Sequence, residues 1–407
     1  MTGQCPFVLD VDGGDIQGEG VKLRGSGPAT LIEMPGGVRG WAVTSADMLR
    51  SLLTDPRVSK DPRQHWPAWI NGEIAADWPL AIWVSVQNMF TAYGTEHRRL
   101  RSLVAAAFTA RRTQAMRPTV EAITATLLDA VEQQGADGQP VDLRAMFAYP
   151  LPVGVICHLF GLPEDERPAM RQVVDTVFDT TATPEQAQAN GIALYGILTR
   201  LVASKRATPG DDLTSALIAA HDDDGAALNE TELIDTLILL LSAGHETTVN
   251  LLDQAITALL THPDQLRLVR SGERTWGDVI EETLRWQAPV AYLPLRYAVE
   301  DIDMMGVRIP QGDPILAAYA ASGRDQTRYG DTADDFDITR ANKQHYAFGH
   351  GVHHCLGAPL ARTEAEIALS TLFTRFPNLT FAVPAAELTP MHSFLSNGHE
   401  SLPVRTH

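Results

Sequence analysis

The most informative stretch of this sequence is FGHGVHHCLGAPLAR, which runs from Phe348 to Arg362. Its glycines at 349, 351 and 357 permit backbone conformations and close approaches that a side chain would block. Cys355 stands just before APLARTEAEIALSTLF, a pattern that predicts a helix. A sulfur at a helix N-terminus faces unpaired N–H groups and the positive end of the helix dipole, which both favour the thiolate. A thiolate placed in this way is a ready ligand for iron, and on a haem its electron donation favours O–O cleavage.

Two other interpretations use the same residues. A buried cysteine is often a small hydrophobic residue without any chemical role. Histidine and cysteine are also zinc ligands, and the segment offers His350, His353, His354 and Cys355. Their crowded spacing is awkward for a tetrahedral site, and no C-x-x-C pair elsewhere in the chain supports one. The spacing therefore argues against a zinc site.

The segment resembles the haem-binding signature of the cytochromes P-450, the haem-thiolate monooxygenases. The shared positions are Phe348, Gly349, Gly351, His353, Cys355 and Gly357. The resemblance implies a mainly α fold with small β-sheets, forming one large domain over residues 1–407 without a fused reductase domain. It also implies that haem b lies between a long central helix and the helix that follows the cysteine loop.

A long helix is predicted from the residues themselves. Asn229 and Glu232 have the spacing of a capping box, and apolar residues recur with helical periodicity to about Leu260. Gly244 lies in the middle of this helix, where glycine costs ~1 kcal/mol relative to alanine and needs a compensating role. One account is that Ala243 and Gly244 leave room for a flat cofactor and for O2, with local widening of the helix.

Glu246 and Thr247 follow this glycine in the segment LLSAGHETTVN. In the resembling family an acid–alcohol pair at this place relays protons during O2 activation, and the resemblance maps that pair onto Glu246 and Thr247. A carboxylate and a hydroxyl are suitable groups for positioned proton delivery. The alternative is a polar stripe that faces water. His245 and His354 occupy variable positions, and we assign them no role.

The sequence EETLR places Glu282 and Arg285 three residues apart on a predicted helix. Such pairs are common on protein surfaces and stabilise a helix by only about 0.2–0.5 kcal/mol. The resemblance implies instead a buried pair that holds the loops on the cysteine side in shape. The family often has asparagine before the Arg-Asp pair that here follows Gly323, which leaves the hydrogen bonding of that loop open.

The two haem propionates need cationic or hydrogen-bonding partners. By resemblance, the propionate-binding positions are His97, Arg101, Arg296 and His353. Taken singly, each of these side chains would more often be a solvated surface residue.

Composition limits the classes of partner. The chain has 407 residues, a formal net charge of −18 and a pI near 5.1, which argue against nucleic acid and against an anionic membrane surface. Its three cysteines are sparse and widely spaced, so we expect no disulfide framework and a cytoplasmic location. No secretory signal is visible, and the apolar run around residues 237–241 is too short to span a bilayer.

Element patterns change along the chain. PATLIEM and RGWAV predict a hairpin, and a helix is expected from about Ser45. Residues 61–93 hold four of the seven tryptophans and predict a long aromatic loop with short helices. Long ordered loops are often functional, and the alternative is that its own aromatic side chains pack this loop against the protein. Residues 96–287 are overwhelmingly helical in pattern, and strand-like pieces and loops follow.

The leading functional hypothesis is an O2-dependent monooxygenase that acts on a hydrophobic small molecule. Too few residues follow Cys355 for a reductase domain, so electrons are expected from outside the chain. The resemblance implies that the donors are a ferredoxin and a ferredoxin reductase. The predicted docking patch, around the helix that bears Arg101, consists of Arg98, Arg99, Arg111, Arg112, Arg117, Lys343 and Arg362. The alternative for these residues is that they are ordinary solvated cations.

The substrate is not encoded in any motif. Candidate pocket walls are the 61–93 loop, Ala243, Thr248 and the stretch from Val290 to Leu293, which together suit many apolar ligands. A second hypothesis keeps the haem but replaces oxygen insertion by rearrangement, coupling, dehydration or peroxide-driven oxidation. A third is a haem sensor or carrier without turnover.

Overall fold

The computed structural model describes residues 5–75, 78–177, 184–221 and 225–407. Residues 76 and 77 of the predicted aromatic loop lie outside the described part. The described part is mainly helical with three small β-sheets, which confirms the expected fold class. Within these residues, no helix has the combination of length and apolar character that a membrane crossing requires.

The α-helices follow one another along the whole chain. They are α1 Ile16–Ser26, α2 Ala46–Thr54, α3 Pro62–His65, α4 Pro67–Ile70, α5 Ile82–Ser85, α6 Gly94–Ala107, α7 Ala110–Ala115, α8 Arg117–Gly135, α9 Pro150–Leu159, α10 Arg167–Val177, α11 Pro184–Ala207, α12 Leu213–Ala219, α13 Glu230–Thr261, α14 Pro263–Arg270, α15 Trp276–Trp286, α16 Tyr319–Ser322, α17 Gln326–Tyr329 and α18 Ala358–Arg375. A short π-helical segment, Arg144–Ala148, precedes α9.

The strands are short and are interspersed with the helices along the chain. They are β1 Phe7–Val8, β2 Ala29–Met34, β3 Val38–Val43, β4 Val58–Ser59, β5 Val141–Asp142, β6 Tyr292–Ala298, β7 Ile302–Met304, β8 Val307–Ile309, β9 Pro314–Ala318, β10 Thr380–Phe381 and β11 Pro403–Arg405. The largest sheet has the order β1-β2-β3-β9-β6-β4, the second β10-β11-β5, and β7 pairs with β8. The predicted hairpin is the antiparallel pair β2–β3, and the predicted helix after Ser45 is α2.

The central helix α13 has 32 residues and begins at the predicted capping box of Asn229 and Glu232. It packs against α9, α15 and α18, so most of its length is buried. The expected local widening near Gly244 is absent, because the α-helical pattern continues without interruption through this part of α13.

The structure corrects our account of Gly244. A Cβ atom at this position would lie 3.1 Å from Cδ1 of Ile156, which belongs to α9. Glycine therefore allows α13 and α9 to approach each other, and the missing side chain does not provide room for a cofactor. Ala243, the other residue of the predicted pair, has an exposed side chain.

The aromatic segment contains the short helices α3, α4 and α5, as predicted. Trp66 and Trp78 are buried with ring centroids 5.6 Å apart, and Trp66 stacks on Tyr297 of β6. The indole N–H of Trp78 donates to the Pro35 carbonyl at 2.7 Å. For these two tryptophans the packing interpretation is therefore confirmed.

Candidate haem-binding site

The cysteine loop has the tight backbone that its glycines predicted. The Cys355 amide donates to the Phe348 carbonyl at 2.7 Å, closing the loop before α18. Gly349 and Gly351 have φ values of 70° and 69°, in the left-handed region that favours glycine. A Cβ at Gly351 would also lie 2.7 Å from the Leu53 carbonyl oxygen. Both glycines are therefore required by the fold of the loop.

Gly357 differs from the other two glycines. Its φ is −79°, an ordinary value, and a Cβ there would only make van der Waals contact with the Cys355 sulfur at 3.8 Å. The expected need for unusual backbone conformation is therefore wrong at this position. What Gly357 contributes is its N–H group, which hydrogen-bonds to the sulfur together with the N–H of Ala358.

Two opposing effects act on the Cys355 thiol. Burial raises its pKa above the usual value, whereas the hydrogen bonds from Gly357 and Ala358 and the charge of Arg101 lower it. Burial is the largest effect, so the helix N-terminus alone does not give a stable thiolate. A coordinated metal cation would deprotonate the thiol outright. The loop thus presents a sulfur with prepared hydrogen bonds, which fits a metal ligand.

The loops on the cysteine side are held by the predicted pair Glu282 and Arg285, which is fully buried. Arg285 donates to the Glu282 carboxylate at 2.7 and 2.9 Å, and Arg340 adds a third contact to it at 3.2 Å. The remaining donors of Arg285 reach the carbonyls of Gly323, Ala333 and Asp335 at 2.7 to 2.8 Å. The pair therefore has the architectural role that the resemblance implied.

Gly323, the departure from the family pattern, has a steric explanation. A Cβ atom at this position would lie 1.9 Å from the Arg285 carbonyl oxygen. The Gly323 carbonyl accepts from Arg285 at 2.8 Å, and its amide donates to Tyr319 at 3.0 Å. Backbone groups thus supply the hydrogen bonds of the loop.

Thr247 lies one turn after Ala243 on the accessible face of α13. Its hydroxyl donates to the Ala243 carbonyl at 2.7 Å, so that Oγ1 keeps its lone pairs available. Thr248, a predicted pocket wall, is buried. In the other predicted wall, Val290 and Leu293 are partly accessible, whereas the two residues between them are buried.

Glu246 points away from that face into a buried polar network that the sequence did not predict. Arg144, in the π-helical segment before α9, donates to the Glu246 carboxylate at 3.2 Å. The same guanidinium binds Asp253 at 2.9 Å and Asn250 at 3.0 Å. Burial raises the pKa of Glu246, and the positive charge of Arg144 opposes this shift. Although Glu246 and Thr247 are adjacent in sequence, Glu246 lies in a buried polar network and Thr247 lies on the accessible face of α13.

The four predicted propionate-binding side chains come together in space from three separate parts of the chain. The rings of His97 and His353 have centroids 4.0 Å apart. Burial and the neighbouring arginines lower the pKa of His97 to about 4, and burial with nearby positive charges also lowers the pKa of His353. Arg101 donates to the His354 carbonyl at 2.7 Å, so it also supports the cysteine loop.

This group fits a bound dianion. His97 Nε2 and Arg296 Nη1 are buried without a hydrogen-bond partner among the described residues. The charged groups that lower the pKa of His353 are all cationic or histidine side chains. Among the described residues, neither Arg101 nor Arg296 forms an ion pair with a carboxylate that would compensate its charge. Buried cations need such compensation. Two propionates next to a sulfur ligand would supply it, so these residues fit haem.

The zinc interpretation finds no support. Within the described ranges, no group of three or more histidine, cysteine, aspartate or glutamate side chains is arranged to hold a metal ion. The crowded His-Cys segment therefore does not form a tetrahedral site of its own.

The predicted docking patch is largely neutralised within the chain. Carboxylates pair with Arg99, Arg112, Arg117, Lys343 and Arg362. Arg98 and Arg111 are exposed, and neither forms an ion pair within the part of the chain that the structure describes. The unpaired positive charge of this surface therefore lies mainly at these two arginines.

Comparisons with known proteins place this arrangement in context. The family model described as Cytochrome P450 matches residues 277–391. The 2-hydroxy-5-methyl-1-naphthoate 7-hydroxylase of Streptomyces carzinostaticus is 46% identical over 98% of this chain and 97% of its own length. The structure of CYP154A1 from Streptomyces coelicolor A3(2) is 56% identical with a TM-score of 0.90, covering 98% of this chain and 100% of that one. CxnD, described as the enzyme for C–S bond formation in chuangxinmycin biosynthesis, is 32% identical with a TM-score of 0.88, covering 100% and 98% of the two chains.

Proposed function

The chain belongs to the cytochrome P450 family, and on that premise we propose that it inserts one oxygen atom from O2 into a hydrophobic small molecule, by hydroxylation or epoxidation. As a member of this family it is an oxidoreductase of the monooxygenase class that uses haem and O2. The finer proposal is that the haem is haem b, iron protoporphyrin IX, and that the chain is a single domain that receives electrons from separate proteins.

One observation carries the proposal: the Cys355 sulfur, with its two amide hydrogen bonds, lies in a fold that also gathers an uncompensated cationic cluster. When bound, haem would supply the binding and activation of O2. Cys355 would hold the iron, and His97, Arg101, Arg296 and His353 would hold the propionates.

The chain's own contribution to the chemistry is proton handling on α13. Thr247 Oγ1 is oriented by its bond to the Ala243 carbonyl and remains able to accept and pass on a proton. Glu246 is the nearest acid along the helix, held by Arg144. Proton transfer between the two residues requires the Glu246 carboxylate to leave Arg144 or a water molecule to connect them. We propose that Arg144 sets how readily this happens.

Isotope labelling tests the proposed reaction. The purified haem-loaded protein, with a ferredoxin, a ferredoxin reductase and NADPH, is screened against apolar aromatic and polyketide-like compounds under labelled O2. We expect a product that carries one labelled oxygen atom. Substrate-induced spectral changes without any product would contradict a monooxygenase and favour a haem sensor.

The substrate class rests on the walls of the site and on one relative. Ala243, Val290 and Leu293 are apolar and accessible or partly accessible, which suits an apolar ligand. The Streptomyces carzinostaticus relative is named for hydroxylation of a naphthoate. We propose that the substrate of this chain is likewise a secondary metabolite with a fused-ring or similarly flat apolar body. Binding spectra with naphthalene derivatives and with linear fatty acids distinguish flat from extended ligands.

Electron delivery is proposed to come from a ferredoxin docked near Arg98 and Arg111. An acidic partner would be repelled by a chain of net charge −18 unless it met locally unpaired cations. The double variant R98E/R111E is expected to slow reduction of the haem by ferredoxin and to weaken its dependence on ionic strength. Dithionite reduction is the control and is expected to be unchanged. Equal ferredoxin rates in the two proteins would place the docking surface elsewhere.

The second candidate function is the formation of a bond between two substrate groups without insertion of oxygen. The observation that favours it is the structural relative CxnD, which is described as forming a C–S bond and covers the whole chain. Replacement of Thr247 separates the two cases, because proton delivery from α13 matters for O2 cleavage. If T247A forms as much product per NADPH consumed as wild type, the second candidate is favoured.

A further inference from the structure

Lys60 is a buried lysine for which the described residues provide no ion-pair partner. Its side chain is 3% exposed, and its ammonium lies 3.5 Å from the Pro294 carbonyl, at the limit of a hydrogen bond. The ammonium also lies 3.6 Å from the centre of the Phe90 ring, a cation–π contact. Neither neighbour carries a negative charge. A buried ammonium in such surroundings is costly unless an anion joins it.

The nearest carboxylate along the chain is already occupied. Asp61 accepts from Arg63 at 3.0 Å and from Gln64 at 2.8 Å. Burial and the positive charge of Arg296 both lower the pKa of Lys60 well below its usual value. The chain by itself therefore disfavours the charged form of this side chain.

The sheet explains why Lys60 lies there. Strand β4 is antiparallel to β6, with Val58 opposite Ala298 and Ser59 opposite Tyr297. Continued by one position, this register brings Lys60 opposite Arg296. Like charges that face each other across strands are destabilising, so the fold places two cations together at a cost. The positive charge of Lys60 also lowers the pKa values of His97 and His353. For His353, its effect is larger than the effect of Arg296.

We propose that the Lys60 ammonium is a further ligand of the haem propionate carboxylates, held opposite Arg296 by the β4–β6 register. This inference rests on the proposed haem site and adds to it a residue outside the resemblance-based set. The propionates would turn an unfavourable group of cations into a compensated one, because charge-assisted hydrogen bonds to carboxylate are strong. Lys60 would then contribute to haem retention and, as a cation beside the porphyrin, raise the reduction potential.

A carboxylate on the substrate is the other source of the same chemistry, since a naphthoate carries one. The position of Lys60 beside Arg296, His97 and His353 favours the propionates, because these three residues form the proposed propionate site. The two sources predict different measurements. If Lys60 binds the propionates, its replacement changes haem retention and potential in the enzyme without substrate. If Lys60 binds the substrate, its replacement changes only the affinity for substrates that carry a carboxylate.

The test compares K60M with wild type as haem-loaded proteins. Haem transfer to excess apomyoglobin is expected to be about tenfold faster or more in K60M, since hydrogen bonds to charged groups have this magnitude. The substrate-free reduction potential is expected to become more negative. K60R keeps the charge and should stay near wild type, and K22M, at an exposed lysine of α1, should match wild type.

Four outcomes are decisive. Unchanged haem transfer and potential in K60M would overturn the proposal. If haem transfer and potential are unchanged in K60M but the affinity for 1-naphthoic acid falls while the affinity for its methyl ester does not, Lys60 is a substrate ligand instead. Should K60M fail to fold, K60Q decides, because rapid haem loss in K60Q but not in K60R supports the proposal and equal retention overturns it. A wild-type protein without a thiolate-ligated haem spectrum would instead contradict the proposed function itself.

Discussion

Arg144 lies 3.2 Å from the Glu246 carboxylate, and both side chains are only 8% exposed. The pair joins the π-helical segment before α9 to the middle of α13. Arg144 divides its charge between Glu246 and Asp253, so it compensates neither completely. Since the pKa of Glu246 is raised by burial, this carboxyl group is closer to neutrality than an exposed glutamate and better suited to exchange a proton near neutral pH.

Replacing Glu246 with glutamine should slow turnover without weakening substrate binding. The amide keeps the size of the side chain but cannot supply a proton, so we expect a decrease of about 10²-fold in kcat, the lower range for loss of an acid–base group. Steady-state product formation and substrate-binding spectra are the measurements. E387Q, at an exposed glutamate, is the control. A kcat within twofold of wild type would show that protons reach the site without Glu246.

Replacing Thr247 with alanine should uncouple electron consumption from product. The Oγ1 hydroxyl that donates to Ala243 is lost, while α13 and its packing remain. We expect NADPH oxidation to continue and the product formed per NADPH to fall by about tenfold. T247S retains the hydroxyl and should recover most of the coupling. If T247S is as uncoupled as T247A, the hydroxyl is not the functional group.

Breaking the buried pair of Glu282 and Arg285 should destabilise the whole protein. Among the described residues, R285M leaves Arg340 as the one cation paired with the buried Glu282 carboxylate, and breaking such pairs costs about 3–5 kcal/mol. The free energy of unfolding of the haem-loaded protein in urea measures this. R308M removes the exposed ion pair with Asp301 and should cost far less stability, because solvent screens exposed pairs. Similar losses in the two variants would contradict the architectural role of Arg285.

Glu281 should contribute stability that is lost in acid. Burial alone would raise its pKa, but hydrogen bonds and positive charge from His345 and Arg362 lower it to about 2. Because the folded value lies below the usual 4.5, the contribution is complete above pH 4.5 and decreases as the pH falls towards 2. E281Q should therefore be less stable than wild type at pH 6, and the difference should shrink in acid.

The urea midpoint at several pH values checks this expectation. E387Q serves again as the exposed control and should follow the wild-type curve. A difference between E281Q and wild type that stays constant from pH 6 down to the acid limit would mean that Glu281 is not held ionised by His345 and Arg362.

Features with a local sequence signal could be predicted. The capping box of Asn229 and Glu232 begins α13, and Gly349 and Gly351 adopt the left-handed conformations that the motif requires. In both cases the physical cause lies within a few residues of the pattern. The buried state of the Glu282–Arg285 pair was available only through resemblance, because its spacing is equally common on surfaces.

Features that depend on contacts between distant segments could not be predicted. Arg144 and Lys60 are isolated basic residues in the sequence, and only the packing of α13 and the β4–β6 register reveals their surroundings. The role assigned to Gly244 was wrong for the same reason, since its neighbour Ile156 lies on another helix. The sequence around Lys60 shows no periodic pattern that could have indicated its burial.

The ligation of iron by Cys355 is most directly tested by the absorption spectrum of the reduced carbon-monoxide complex. We predict that the wild-type protein shows the red-shifted Soret band of a thiolate-ligated haem and that C355H shows the band of a histidine-ligated haem. A wild-type spectrum already like that of a histidine-ligated globin, or a thiolate-type band that persists in C355H, would contradict the assignment of Cys355.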